Sequence, residues 1–170
     1  AKIKRLYMSP SWGNSTYHGH KRTYGYQTDY SMASQTNEKR LTFALEQKGE
    51  SYNSTGAGAV PTRNMDTRSI VLEYGVNFDN QYYTTVAARH DMNNIFSNVT
   101  TYHMDVSGWV SDAMRLHAST GTGIKNPTLY ELFGSSANYT GNADLKPEEN
   151  NTWDLGAEYT FEQLDGYIDA

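Results

Sequence analysis

The sequence has 170 residues, a net charge of −5 at pH 7, 14 tyrosines, 14 glycines and no cysteine. Without cysteine, disulfide frameworks, thiolate zinc sites and cysteine nucleophiles are excluded, and a modest charge of mixed sign offers nothing that would attract nucleic acid. No apolar run approaches the ~20 residues that a membrane-spanning helix needs.

Nine β-strands are predicted along the chain, because apolar and polar residues alternate with a period of two. The clearest alternation is in the fourth strand, where Ile70, Leu72, Tyr74 and Phe78 are interleaved mostly with polar or small residues. The eighth strand repeats the pattern over 153–161. One face of the predicted sheet is therefore apolar and rich in aromatic rings. The predicted strands cover residues 2–9, 20–33, 39–51, 66–78, 81–92, 101–111, 114–122, 151–162 and 164–170.

The predicted connections between these strands alternate in length. Short turns are predicted at 34–38, 79–80, 112–113 and 162–163, and long loops at 10–19, 52–65, 93–100 and 123–150. An up-and-down meander gives this order when all long loops leave from one rim, as they do in membrane β-barrels. We therefore predict an all-β fold, an antiparallel up-and-down transmembrane β-barrel present as a partial barrel of about nine strands.

A soluble extracellular β-sandwich is the main alternative interpretation, for example a carbohydrate-binding module whose exposed tyrosines stack on sugars. It would bury Ile70, Leu72, Val76 and Phe78 between two sheets, whereas a barrel would direct them at lipid. Charged residues occupy the opposite face in either case. They are Glu46, Lys48, Glu73, Arg89, Asp91, Asp105, Arg115, Asp154 and Glu158.

Two pairs of histidines are candidates for a metal site and a catalytic site, but for both pairs a non-functional interpretation is favoured. His18 and His20 could hold a metal, but with no nearby carboxylate cluster a solvated loop pair is favoured. His103 and His117 are predicted to lie on the charged face near Asp105, yet no strained nucleophile turn accompanies them. We predict no catalytic residue, no metal and no cofactor, and do not expect an enzyme.

The segment 115–161 carries ordered motifs rather than a pattern alone. It reads RLHASTGTGIKNPTLYELFGSSANYTGNADLKPEENNTWDLGAEYTF. This segment resembles the late-barrel signature of TonB-dependent outer-membrane receptors of the vitamin B12 and siderophore type. The matching pieces are residues 121–127, 129–134, 141–148 and 153–159, with a weaker match upstream at 86–91.

The resemblance implies a domain organisation and a function. In this family a plug domain fills a barrel of about 22 strands, so residues 1–170 are expected to be a segment of the β-barrel domain, with the plug domain not included. The implied function is import of a nutrient chelate, such as a siderophore or cobalamin, across the bacterial outer membrane. The implied partners are outer-membrane lipid, the plug of the parent chain, the TonB complex acting through that plug, and the small-molecule chelate.

Two choices stay open beside this resemblance. The charged face is either simply solvated or an inner wall that docks the plug through ion pairs, and the resemblance favours the second. A different outer-membrane barrel, an adhesin or a porin, is a further alternative against which the signature in 123–150 argues.

Loop 123–150 is the candidate ligand site, since loops of this length are usually functional or disordered. Its predicted ligand contacts are the amphipathic side chains Tyr130, Phe133, Asn138 and Tyr139. The plainer interpretation is that residues 129–133 pack the loop onto the barrel rim, which we expect for Leu129 and Leu132.

Overall fold

A computed structural model describes residues 2–7, 15–56, 58–136, 138–161 and 166–169. Within these residues, nine of the eleven strands form one antiparallel sheet, in which each strand pairs with the sheet strands that precede and follow it along the chain. This partial, unclosed barrel confirms the predicted meander. No helix in the described part of the chain has the length and apolarity that crossing a membrane requires. The elements are β1 (Lys2–Tyr7), β2 (Ser15–Ala33), β3 (Glu38–Gly56), β4 (Val60–Phe78), β5 (Tyr82–Asn93), β6 (Val99–Trp109), β7 (Met114–Lys125), α1 (Leu129–Phe133), β8 (Ser135–Ser136), β9 (Tyr139–Thr140), β10 (Glu148–Phe161) and β11 (Gly166–Asp169).

The register places the predicted apolar residues on one side of the sheet. Phe43, Leu72, Ala88 and Tyr102 lie directly opposite one another across β3 to β6, and paired residues of neighbouring strands share a face. We call this side the apolar face. Its large side chains are exposed and include Tyr26, Tyr30, Phe43, Ile70, Leu72, Phe78, Val86, Tyr102, Met104, Trp153, Leu155 and Tyr159.

The degree of exposure decides between the two predicted folds. Leu72 is 51% exposed, Leu155 is 74% exposed and Trp153 is 82% exposed. A β-sandwich would bury these positions between its sheets, but in the described residues no second layer covers them. The sandwich interpretation is therefore not favoured.

The opposite side, which we call the polar face, carries the nine charged residues named from the sequence. Glu46 lies opposite Ser69, which lies opposite Asp91. Further along the sheet, Arg115 lies opposite Glu158. The period-two alternation thus assigned charges and apolar groups to their correct sides.

The two rims of the sheet differ in their connections. The connections at 94–98 and 126–147 leave from one rim, called here the upper rim, and those at 34–37, 79–81 and 110–113 leave from the lower rim. Asp79 and Asn80 form the predicted tight turn with φ of 54° and 53°, values typical of a type I′ hairpin. The Asn37 side chain accepts a hydrogen bond from the Asp79 N–H at 2.9 Å and ties two lower turns together.

The predicted long loop at 52–65 is wrong. β3 continues to Gly56 and β4 begins at Val60, so only residues 57–59 connect them. Gly56 and Gly58 have φ of 94° and 75°, a region that glycine enters without steric cost. In the parts of β3 and β4 nearest the upper end of the sheet, both sides carry a mixture of polar and apolar residues. The period-two alternation therefore disappears there, although the backbone hydrogen bonds between the strands continue.

The other predicted loops are shortened or structured to different degrees. β2 begins at Ser15, so the end of the predicted loop 10–19 is strand, and its earlier part lies outside the described residues. The predicted turn at 162–163 also lies outside them. The connection 126–147 contains α1 and the two-stranded ribbon of β8 and β9.

Candidate functional site

A short helix begins the connection that follows β7. Thr128 is its N-cap: the Glu131 N–H donates to Thr128 Oγ1 at 3.2 Å, and the Thr128 N–H donates to Glu131 Oε2 at 2.7 Å. This reciprocal pair is a capping box, which satisfies two backbone donors that a helix start leaves open. Hydrogen bonds from the backbone and side chain of Thr128 lower the pKa of Glu131.

The buried side of α1 contacts the upper ends of β3 and β4. Leu129 packs with Tyr52, Val60 and Met65, all of them buried, and Leu132 is only 1% exposed. Tyr17, Phe96 and Phe133 surround this cluster. The expectation that Leu129 and Leu132 pack the loop is confirmed. We call the described part of 52–65 and 126–147 the crown, since together they form a small core at the upper rim.

The returning arm of the connection is bonded to α1. The Gly141 N–H donates to the carbonyl oxygen of Gly134 at 2.7 Å, and the Asn142 N–H donates to that of Glu131 at 2.8 Å. A Cβ on Gly141 would meet the backbone of Leu132 and Phe133 at 2.7 Å, so only glycine fits this close approach.

Four tyrosine rings converge at the crown. Tyr130 stacks on Tyr139 with ring centres 4.9 Å apart and planes 7° apart. Tyr52 and Tyr17 meet Tyr130 edge-on, with ring centres at 5.8 and 6.3 Å. The guanidinium carbon of Arg63 lies 4.8 Å from the centre of the Phe133 ring. Such pairs are favourable beyond their buried area, so the cluster holds the connection in place.

Three of the four predicted ligand contacts therefore come together, and one stands apart. Tyr130 and Tyr139 stack on each other in the crown, Phe133 packs against its buried residues, and Tyr130 is still 39% exposed. Asn138 is exposed in the turn between β8 and β9. Whether these residues bind a ligand remains a prediction.

Sequence reasoning missed Tyr17, Tyr52 and Arg63 as neighbours of this cluster. All three lie in stretches predicted as loops, and none of them was a candidate site residue. The signal that could have found Tyr52 is the glycine pair at 56 and 58, which permits a tight hairpin and hence a continuing strand. Nothing local to Tyr17 or Arg63 indicates their partners, which lie far away along the chain.

A charged network crosses the polar face at β3, β4 and β5. Arg89 Nη2 donates to Glu46 Oε1 at 2.9 Å and to Ser69 Oγ at 2.7 Å, and Arg89 Nε donates to Asp91 Oδ1 at 2.8 Å. Three partners from three strands fix the guanidinium in one position. The network therefore presents fixed charges to whatever occupies the space in front of it.

A second group of polar contacts lies on β6, β7 and β10. Arg115 bridges Glu158 at 3.2 Å and Ser107 at 2.9 Å. The histidines predicted for this face are each paired with a carboxylate: His103 Nε2 lies 3.4 Å from Asp105 Oδ1, and His117 Nε2 lies 3.4 Å from Asp154 Oδ1. Polar side chains thus cover this part of the polar face.

Comparison of the sequence with known protein families and with curated proteins identifies related proteins. The family model described as TonB dependent receptor-like, beta-barrel matches residues 4–170. The vitamin B12 transporter BtuB of Photobacterium profundum is 26% identical over 148 residues, which are 84% of this chain and 24% of that protein. BtuB of Vibrio vulnificus is 27% identical over 117 residues, 68% of this chain and 19% of that protein. The chain spans about a quarter or less of the length of these curated relatives.

Solved structures share the fold. The siderophore receptor PirA from Pseudomonas aeruginosa superposes with a TM-score of 0.70 at 18% identity, covering 95% of this chain and 35% of that one. A variant of the ferric enterobactin receptor PfeA from the same organism, in complex with enterobactin, gives a TM-score of 0.72 at 17% identity, covering 88% and 26%. The relatives and structures named here are transporters and receptors.

Proposed function

The chain belongs to the TonB-dependent receptor β-barrel family, and on that premise we propose that it forms part of the barrel wall of a bacterial outer-membrane transporter that imports a bulky nutrient chelate. The observation that carries this proposal is the apolar face, whose large side chains are exposed while charges occupy the other side. Lipid is the partner of such a face, because in water it would be a large unprotected apolar surface.

The dimensions of the apolar face support membrane insertion. On β4 it runs from Ile70 to Phe78, which at ~3.4 Å per residue is about 27 Å along the strand. At a strand tilt of ~40° this is about 21 Å of height, close to the ~25 Å band of outer-membrane barrels. The upper rim then faces the cell exterior, since longer connections lie on that side of such barrels.

The polar face is proposed to dock the plug domain of the parent chain. Arg89 is held by Glu46, Ser69 and Asp91, and Arg115 by Glu158 and Ser107. Immobilised charges are suited to pairing with a partner surface, since little side-chain entropy is left to lose. TonB, acting through the plug, would open the path for the chelate.

The ligand is proposed to bind at the crown through Tyr130, Phe133, Asn138 and Tyr139. The exposed ring of Tyr130 and the half-buried rings of Phe133 and Tyr139, beside a guanidinium and an amide, offer both stacking and hydrogen bonding to a bulky, partly aromatic chelate. Relatives are named for vitamin B12 and structural neighbours for siderophores, and a compound of this general class is proposed here. No covalent chemistry is involved.

Uptake by the full-length parent tests this function. The parent is expressed in a host lacking its own siderophore and cobalamin receptors, and uptake of radiolabelled ferric enterobactin and cyanocobalamin is measured with and without TonB. We expect saturable uptake of a chelate that vanishes when TonB is deleted. Uptake that continues without TonB, or a parent that is soluble without detergent, would contradict the proposal.

Substitution of Asn138 tests the proposed ligand site without disturbing its structure, because the Asn138 side chain is exposed and lies outside the buried residues of the crown. Asn138→Ala is expected to raise the Kd of the transported chelate about two- to tenfold, the value of one hydrogen bond. Thr140→Ala, on exposed β9 two residues away, is the matched control. Equal effects of the two variants would remove Asn138 from the ligand site.

A further inference from the structure

Basic side chains, one arginine and two histidines, follow the apolar face where it ends on β2. Tyr26 and Tyr24 are its last large side chains in the direction of the upper rim, and the next positions on the same side of the strand are Arg22, His20 and His18. Successive positions on one side of a strand are about 7 Å apart. Arg22 therefore lies about 7 Å beyond Tyr24 along β2.

β1 adds two lysines to the same surface. Lys2 lies opposite His20 and Lys4 lies opposite His18, so all share one side of the sheet. Lys2, Lys4, His18 and Arg22 are exposed and His20 is half-buried. We call these five residues the cation patch. The cation patch includes both histidines of the His18–Gly19–His20 motif. Their cross-strand neighbours on β1 are the lysines Lys4 and Lys2, whereas a metal site would be favoured by carboxylates at these positions.

A shallow depression of about 580 Å³ adjoins the patch, lined among others by Lys2, His20, Arg22 and Tyr24. Two acidic residues, Glu50 and Asp66, also line it. Among the residues that the structure describes, no carboxylate forms an ion pair with Lys2, Lys4 or Arg22, and the Arg22 Nε donates to His20 at 3.3 Å. This differs from the polar face, where the cations Arg89 and Arg115 are paired.

We propose that the cation patch binds the phosphate groups of an anionic outer-leaflet lipid whose acyl chains lie on the apolar face below. The inference rests on the proposed membrane placement, which sets the patch at headgroup height. Continuity with Tyr24 and Tyr26 identifies a lipid rather than free phosphate, because one molecule can then contact both the cations and the apolar surface. A basic residue near an anionic membrane surface strengthens binding by roughly fivefold.

Lipid binding to the purified full-length parent tests the inference. Native mass spectrometry measures the fraction bound to diphosphorylated lipid A for the wild type and for a triple variant carrying Lys2→Gln, Lys4→Gln and Arg22→Gln. We expect affinity to fall on the order of 100-fold in the triple variant. The control is Lys21→Gln, which removes one positive charge next to Arg22 but on the opposite side of β2, where Lys21 pairs with Glu50; its effect is compared with that of Arg22→Gln alone.

Two further arms identify the ligand. Dephosphorylated lipid A should bind weakly to the wild type, and millimolar inorganic phosphate should not displace the phosphorylated lipid. Equal binding by the triple variant, equal loss in Lys21→Gln, equal binding of the dephosphorylated lipid or full displacement by phosphate would each overturn the inference. Chelate uptake is measured on the same variants: retained uptake with unchanged lipid binding rejects the patch alone, whereas a parent that does not insert into membranes rejects the proposed function.

Discussion

The nine-stranded sheet below the crown, which we call the wall, and the crown itself place their apolar residues in opposite environments. In the wall, Leu72 and Leu155 are exposed to more than half of their surface. In the crown, Leu129 and Leu132 are 5% and 1% exposed, enclosed by side chains from β3, β4 and the connection 126–147. One chain thus contains a region whose apolar groups need an external apolar solvent and a region that supplies its own.

The difference shows how burial depends on what surrounds each region. A transmembrane barrel turns its apolar side outward because lipid replaces the core. On the proposed membrane placement, the crown projects into water and must bury its leucines and tyrosines within itself. Substitutions should therefore be judged against lipid in the wall and against packing in the crown.

Arginine substitutions at two adjacent alanines of β5 should show the largest contrast. Ala88 lies on the apolar face between Leu72 and Tyr102, and Ala87 lies on the polar face between Glu73 and His103. Ala88→Arg should cost about 2–4 kcal/mol in lipid, whereas Ala87→Arg should cost about 1 kcal/mol or less. Urea unfolding of the full-length parent in vesicles measures both. Equal costs would break the distinction between the faces.

Removing the most buried leucine of the crown should have a smaller and more local effect. Leu132→Ala should cost about 2 kcal/mol, the low end for a buried leucine, since a surface loop can partly collapse into the space. Hydrogen exchange should report it as lost protection of the Leu132 and Gly134 amides, which bond within α1, with the strands unchanged. Leu145→Ala, an exposed leucine of the same connection, is the control. Loss spreading through the wall would show that the two regions are not independent.

The capping box should give the smallest effect, and it should depend on pH. Because the pKa of Glu131 is lowered in the folded chain, its stabilisation is present above the ordinary value of 4.5 and is lost as pH falls through the lowered value. Thr128→Ala should cost about 1 kcal/mol at neutral pH.

Hydrogen-exchange protection of α1, corrected for intrinsic rates, measures this between pH 7 and the acidic range. Glu131→Gln should remove the acidic loss of protection, and Glu149→Gln, an exposed residue outside the box, should leave it in place. An α1 whose protection is constant with pH in the wild type would contradict the role of Glu131.

The wall could be predicted from the sequence because its chemistry repeats every two residues. The spacing of Ile70, Leu72 and Tyr74 predicts both a strand and the side of the sheet on which its apolar residues lie. The register confirmed both. The same reasoning failed at 52–65, where β3 and β4 continue past the upper end of the apolar face. There neither side is uniformly apolar, so backbone hydrogen bonds continue with no matching pattern in the side chains.

The crown could be predicted only in part. The packing of Leu129 and Leu132 onto the barrel rim was expected from the sequence, and the family resemblance identified the segment. The contacts of Tyr130 with Tyr17 and Tyr52 join residues more than 75 positions apart. Local propensity carries no information about such meetings, which depend on where the whole sheet places its upper rim.

Spin-label accessibility along β4 tests the membrane-wall assignment most directly. Nitroxides are placed one at a time from residue 70 to residue 75 of the full-length parent in lipid vesicles, and collisions with oxygen and with a polar nickel complex are measured. Labels at 70, 72 and 74 should meet oxygen far more than nickel, and those at 71, 73 and 75 should show less of this preference. A wall of lipid on one side and water or protein on the other produces that alternation; labels at 70, 72 and 74 shielded from both reagents would mean a sealed core in its place.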